Sequence, residues 1–309
     1  RRQRQMCIRD RIKIEAGDIQ GVNHGLASLL QLIMTAKDAQ LPVLTIQDKP
    51  AFGYRGLMLD CARHFWTVDE LKETLDHMAF FKLNTLHMHL TDNQAWRLSM
   101  DKYPDLVKEG TYYYDFPELS GKYYSKEDLK EIVTYAGTRG IEIIPEVDLP
   151  GHSIALLAAL PELSCRGGKF EATPEERDWN KRKRGNENMI CIGNPQSFAF
   201  AEDVIDALIE IFPSQYIHFG GDEVPTDIWE KCPKCMALYK REGMKSPGEI
   251  QDYFTRKMSD LIRSKGKIMI GWGEINDRHA AGPNDVLTIW RDNGVEKQKI
   301  ALEHGISVI

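Results

Sequence analysis

From residue 56 onward the apolar positions of the chain keep two spacings in turn. Short, almost uninterrupted apolar runs fall at 56–62 (GLMLDCA), 83–90 (LNTLHMHL), 141–148 (IEIIPEVD), 216–221 (YIHFGG), 267–272 (KIMIGW) and 285–290 (DVLTIW). Such runs predict strands buried on both faces. The last residues, 306–309 (ISVI), open a seventh. Between the runs lie segments with a helical period: 67–82, 125–140, 197–212, 247–266 and 295–305. Thr67 with Glu70 three residues on spells a capping box, and Ser125 and Gly140 bracket the second helix. Upstream, 22–36 puts Leu26, Leu29, Leu30 and Ile33 on one helical face, and 41–46 (LPVLTI) reads as a short strand.

Strands alternating with helices imply right-handed βαβ units and a parallel sheet. Two architectures meet that description, a doubly wound sheet and a closed barrel. No GxGxxG follows the first strand, and charged or aromatic residues stand at nearly every strand end. Both features favour an α/β (β/α)8 TIM barrel, here read through seven strands and lacking its last unit. Residues 1–13 show no periodicity and match nothing downstream, so they read as a leader foreign to the rest.

Composition changes this picture little. The 309 residues are 42% hydrophobic and 28% charged, which fits a globular protein, and the net charge of -6 argues against nucleic acid as a partner. The basic run 181–184 (KRKR) lies in a polar stretch and reads as a solvated loop. No apolar run approaches the ~18 residues of a membrane helix. Six cysteines are too few for a disulfide scaffold at this length. The CPKC at 232–235 has zinc-knuckle spacing without a second CxxC, so a loop disulfide or idle thiols is the expectation. Cys165 and Cys191 bracket a polar stretch and could pair across it.

Chemistry in such barrels collects at the C-terminal strand ends. Those ends carry Asp60 and Arg63; His87, His89, Asp92 and Asn93; Glu146, Asp148 and His152; Asp222 and Glu223; Trp272 and Glu274; Trp290 and Arg291. Carboxylates beside aromatic faces suit a neutral sugar. A metallohydrolase competes, because His87 and His89 share a strand face and Asp148, His152 and Asp222 could complete a site. A non-catalytic sugar-binding barrel is a third reading. In HFGGDEV (218–224), Gly220 and Gly221 let the backbone turn, so that Asp222 and Glu223 can both face the cleft. Neighbours on one loop cannot flank a glycosidic bond from opposite sides, as the ordinary pair of glycosidase carboxylates must. If Glu223 is the acid, the nucleophile comes from elsewhere, and a 2-acetamido carbonyl on the substrate is the obvious source.

The chain resembles glycoside hydrolase family 20, the β-N-acetylhexosaminidases. The matching stretches are RGLMLDCARHF (55–65), LNTLHMHLTDNQAWR (83–97), IPEVDLPGH (144–152), HFGGDEV (218–224), GWGE (271–274) and TIW (288–290). Residues 14–50 resemble the end of a small domain that precedes the barrel in this family, leaving 51–309 as the catalytic barrel with an incomplete C-terminus. The resemblance implies exo-acting, retaining hydrolysis of terminal β-linked N-acetylhexosamine through an oxazolinium ion; substrate assistance is a known property of the family. It implies Glu223 as general acid and then base, and Asp222 as the group holding the acetamido N–H. Arg63 would bind sugar hydroxyls, Asp92 and His152 would orient Glu223, and Trp272 with Trp290 would wall the acetamido pocket. No metal or other cofactor is implied. The partner would be an N-acetylhexosamine-containing oligosaccharide or glycoconjugate, met in the periplasm or outside the cell. The family also supplies a Tyr and an Asp after strand seven and a Trp and a Glu from strand eight, expected beyond Ile309. Asn93 departs from the second acid that many relatives carry there. Trp96 and Trp229 read as packing residues, and Arg55 and Asp60 as structural contacts within the barrel.

Overall fold

The computed structural model describes residues 11–37, 40–113, 116–172, 189–291 and 293–309. Most of residues 1–13, the basic run 181–184 and Cys7 lie outside the described residues. The chain opens with helix α1 (Ile19–Thr35), capped by Asp18, whose carboxylate accepts from Gly21 N at 2.7 Å. The repeating part follows as β1 (Gly56–Asp60), α2 (Val68–Phe80), β2 (Thr85–His89), a one-turn α3 (Asp105–Lys108), α4 (Lys126–Gly137) and β3 (Glu142–Glu146). Next come α5 (Ile154–Ala159), α6 (Pro195–Ile211), β4 (Tyr216–His218), α7 (Asp227–Lys231), α8 (Pro233–Arg241) and α9 (Gly248–Ser264). The described chain ends with β5 (Ile268–Trp272), β6 (Val286–Thr288), α10 (Gly294–Glu303) and β7 (Ser307–Val308).

All seven strands pair in parallel and in chain order. They curl into the arc of a (β/α)8 barrel through its seventh strand, as the alternating periods predict. The capping boxes at Thr67/Glu70 and Ser125/Asp128 are both formed. Apolar side chains divide by face. A large cluster, including Leu71, Leu86, Met88, Leu129, Ile143, Phe200 and Ile217, fills the layer between sheet and helices. A small one, Ile144, Ile270 and Val286, plugs the arc from inside. Two residues further along β3 and β5 the inward positions become Glu146 and Trp272, because side chains alternate with period two. The apolar plug thus lies directly beneath the polar site.

Three sequence expectations need correction. Residues 41–46 form no strand; Val43 is 93% exposed and has nothing to pair with among the described residues. β1 is shorter than its apolar run and not fully buried: Leu57 and Met58 are over a third exposed, because β1 has a neighbour on one side only. The 22–36 helix forms, but Leu26, Leu30 and Ile33 face outward. It docks through polar side chains instead. Gln31 Nε2 donates to Phe80 O at 2.6 Å, capping the carbonyl end of α2, and Gln20 Nε2 donates to Gly140 O at 3.0 Å in the turn after α4.

Candidate active site

The register of the strands assembles the site. His89 lies opposite Glu146 across β2–β3, and Glu146 opposite His218 across β3–β4. Glu146 is wholly buried and gathers four partners. His87 Nε2 and His89 Nδ1 stand 2.7 and 2.8 Å from Oε2, His218 Nδ1 stands 3.3 Å from Oε1, and Trp272 Nε1 donates to Oε1 at 2.8 Å. Burial opposes ionisation of Glu146, but the surrounding His218, His89 and His87 outweigh it and hold the carboxyl well below the usual range. His87 goes the other way. Burial and its histidine neighbour His218 lower it to about 4, so it is neutral.

From Glu146 the polar contacts run outward. His89 Nε2 meets Asp92 Oδ2 at 2.9 Å, and Asp92 Oδ1 meets His152 Nδ1 at 3.1 Å. Burial acts against charge on His89, yet Glu146 and Asp92 raise it well above its ordinary value. Asp92, against the same burial, is held well below the carboxylate range by His152 and His89. His152 is pushed up to about 10: burial opposes, and the hydrogen bond to Asp92 and the nearby carboxyls prevail. The result is an alternating series, Glu146 negative, His89 positive, Asp92 negative, His152 positive. Arg63 completes it at the rim, its guanidinium 2.6 Å from Asp60 Oδ2 and 2.8 Å from Asp92 Oδ2.

His152 ends the series at the acid pair. Its Nε2 stands 3.7 Å from Asp222 Oδ2 and 3.7 Å from Glu223 Oε2. The GGDE turn that brings both carboxylates to one nitrogen is forced by packing. Gly220 has φ +60°, and a Cβ there would stand 1.8 Å from Asp148 Oδ1; Gly221 has φ +92°, and a Cβ would meet Ile275 Cγ2 at 2.3 Å. Asp148 Oδ1 accepts from Gly221 N at 2.9 Å, and Gln251 Nε2 donates to Gly221 O at 2.7 Å. Glu223 itself takes φ +50° and His152 φ +46°, a left-handed conformation that costs a non-glycine residue ~1–3 kcal/mol and is found where a site is held under constraint. Burial, and then the charge of Asp222, raise Asp148 well above the carboxylate range, so it is a neutral acid beneath the pair.

The far wall comes from β5 and β6. Trp272 and Trp290 meet edge to face with ring centres 6.3 Å apart. Trp290 Nε1 donates to Glu274 Oε2 at 3.3 Å, and Arg291 bridges Glu274 Oε1 at 2.6 Å and Glu223 Oε1 at 2.9 Å.

All seven residues singled out as catalytic or substrate-binding thus line one face: Glu223, Asp222, Arg63, Asp92, His152, Trp272 and Trp290. Trp96 and Trp229 are buried, donating to Leu98 O and Ile190 O. Arg55 serves the loops before β1 and β2 through Asn84, Lys82 and Phe52. The five residues of the metallohydrolase reading are divided: His87 and His89 turn to Glu146, whereas Asp148 supports the glycine turn. Sequence reasoning gave Glu146 no role as a hub, Asp148 none as a neutral support and Gln251 none at all. For Glu146 a signal existed, since His87, His89, Glu146 and His218 all sit on one face of adjacent strand ends.

The chain is thus a parallel β/α barrel whose buried charge series ends on two adjacent carboxylates after strand four. A family model described as glycosyl hydrolase family 20, catalytic domain, matches residues 52–309, and the chain belongs to that family. A β-hexosaminidase of Porphyromonas gingivalis is 37% identical over 296 residues, covering 92% of this chain and 37% of that protein. One of Akkermansia muciniphila is 38% identical over 304 residues, covering 93% and 59%. The chain therefore spans little more than half the length of these curated relatives, or less. The crystal structure of a β-N-acetylhexosaminidase from Bacteroides fragilis superposes with a TM-score of 0.85 at 32% identity, covering 96% of this chain and 58% of the other. A mutant β-hexosaminidase of Streptomyces plicatus in complex with its product GlcNAc superposes with a TM-score of 0.74 at 28% identity, covering 93% and 55%.

Proposed function

We propose that the protein removes terminal, non-reducing β-linked N-acetylhexosamine from glycans, retaining configuration, with the substrate's own acetamido group as nucleophile. One observation carries this reading. Asp222 and Glu223 stand at equal distance from a single imidazole nitrogen, and so on one side of any bound sugar. A pair so placed cannot divide the roles of acid and attacking carboxylate across a glycosidic bond. Glu223, the more exposed of the two, protonates the departing oxygen and then activates water. Asp222 receives the acetamido N–H and balances the positive oxazolinium ion. Trp272 and Trp290 press the acetamido arm toward the anomeric carbon, a proximity effect. Arg63, partly exposed at the rim and anchored by Asp60 and Asp92, takes sugar hydroxyls. The protonated His152 positions both acids. The names of the relatives support the substrate class.

The test compares an aryl β-N-acetylglucosaminide with the matching β-glucoside. Strong preference for the N-acetylated substrate and inhibition by a thiazoline analogue are expected. Equal hydrolysis of both would overturn the scheme. Glu223→Gln should lower kcat by ~10²–10⁴ on substrates with poor leaving groups, and much less where the leaving group departs unaided.

A further inference from the structure

The structure brings together four cysteines that the sequence scatters over 71 positions. Cys165 follows the turn at Pro161–Leu163, Cys191 follows the isolated bridge between Ser164 and Ile190, and Cys232 and Cys235 open α8. Cys191 Sγ stands 3.6 Å from both Cys232 Sγ and Cys235 Sγ, and Cys165 Sγ stands 3.8 Å from Cys235 Sγ. All four sulfurs lie within 4.8 Å of one another, and all four thiols are free. The pairing of Cys165 with Cys191 envisaged from sequence is replaced by a four-membered cluster.

These spacings have a chemical meaning. A tetrahedral zinc tetrathiolate with bonds of about 2.3 Å has sulfur-to-sulfur edges of about 3.8 Å. Three of the six edges, at 3.6 to 3.8 Å, match that cage, the others lie within 4.8 Å, and the three are far too long for a disulfide. The missing second CxxC is supplied in space by Cys165 and Cys191. The surroundings also fit. Gly193 N donates to Cys235 Sγ at 3.4 Å, the kind of contact that steadies a ligating thiolate. A Cβ on Gly193 would stand 2.2 Å from the carbonyl carbon of Lys234, so the 191–193 turn lies flat against the CPKC backbone. Cys191, Cys232 and Cys235 are buried, and Cys165 is half-buried. Four clustered sulfurs select a soft ion that accepts tetrahedral geometry.

We propose that Cys165, Cys191, Cys232 and Cys235 form a structural zinc site. It ties the excursion between β3 and α6 to the segment that follows the Asp222–Glu223 turn. Trp229, which donates to Ile190 O, already joins the same two segments beside it. A closed four-sulfur site leaves no open coordination position, so the ion is structural and stays outside the hydrolytic chemistry.

The test is metal analysis of the protein purified from zinc-replete cells without chelator. About one zinc per chain is expected, as for a closed four-ligand site. A mercurial that titrates the four thiols of the folded wild type should release that zinc in step, as read by a zinc-sensitive dye. The double variant Cys232→Ser/Cys235→Ser should lose the zinc and melt at lower temperature. Cys61→Ala, at a buried cysteine outside the cluster, should keep it. Cobalt in place of zinc should give the strong absorption of a tetrahedral tetrathiolate. Protein without stoichiometric zinc, iron in its place, or two disulfides among the four cysteines by mass would overturn the proposal. The readout is metal content, so it stands or falls separately from the hydrolytic reading.

Discussion

The two flanks of the site are built differently. On the β2–β4 side, Glu146, His89, Asp92 and His152 are all buried, and each ionised group has an opposite charge within about hydrogen-bonding distance. On the β5–β7 side, Trp290 is 51% exposed and the side chain of Arg291 42% exposed, and the Glu223 side chain that Arg291 reaches from there is 48% exposed. The first flank is held by interactions that water does not screen; the second depends on contacts that water does. A site so divided holds its buried groups firmly while leaving Glu223 accessible. The comparison is broken if perturbing either flank costs the same.

The largest effect is expected at the hub. Glu146→Gln removes the one negative charge that His89, His87 and His218 converge on and leaves the buried His89 cation with Asp92 as its remaining carboxylate partner. Removing one member of a buried charge network costs ~3–5 kcal/mol. Urea unfolding of the variant should show that loss, and a change under about 1 kcal/mol would mean the buried flank is no stiffer than the surface. Next comes Gly220→Ala. Its φ of +60° and the 1.8 Å approach of a Cβ to Asp148 Oδ1 strain the turn, so a loss of ~1–3 kcal/mol is expected. The same variant should lower kcat, because the turn sets the direction of both carboxylates. An unchanged kcat would show that the Asp222–Glu223 turn adapts without Gly220.

How much of this was legible follows from the range of each signal. β2 and β3 were readable because LNTLHMHL and IEIIPEVD are apolar runs with period-two side chains, and their ends overshot by only one or two residues. The strand read at 216–221 stops at His218, because Gly220 and Gly221 leave the extended conformation to make the turn. The adjacent Asp222 and Glu223 were legible, since their proximity is written in the chain. Glu146 was not seen as a hub, because its partners His87 and His218 lie 59 and 72 positions away and meet it only through sheet register. The cysteine cluster was missed for the same reason, as three separate segments must fold before four sulfurs meet. The segment 41–46 misled because strand propensity is local, whereas a strand needs a neighbour.

A third, smaller effect is read against pH. His152 has a folded value of about 10, above its ordinary 6.5. A raised value means that the folded protein holds a proton which the unfolded chain releases, so the contribution is complete below pH 6.5 and is lost as pH rises toward 10. The melting temperature should therefore fall across that window, and His152→Gln should flatten the fall while starting lower. Asp92 and Glu146, with depressed values, act at the other end: their contribution is present above the unfolded carboxylate range and is lost as acid protonates them in the folded state. An equally steep alkaline fall in His152→Gln would remove His152 from the charge series.

The smallest effect is expected on the open flank, and it is the sharpest check on the contrast. Arg291 spans Glu223 and Glu274, so a drawing of its contacts would suggest a keystone. Its exposure argues otherwise. Ion pairs half open to water gain ~0–1 kcal/mol, since solvent screens the attraction and the long side chain loses rotamer freedom on pairing. Arg291→Gln should therefore change stability by under about 1 kcal/mol, and added salt should shrink even that difference. The neutral amide keeps much of the packing against Trp290, whose ring Arg291 overlies at 4.7 Å, so the change reports mainly on charge. If Arg291→Gln destabilised the fold as much as Glu146→Gln does, the β5–β7 wall would be as firmly anchored as the buried flank, and Glu223 would be a clamped group rather than an accessible acid.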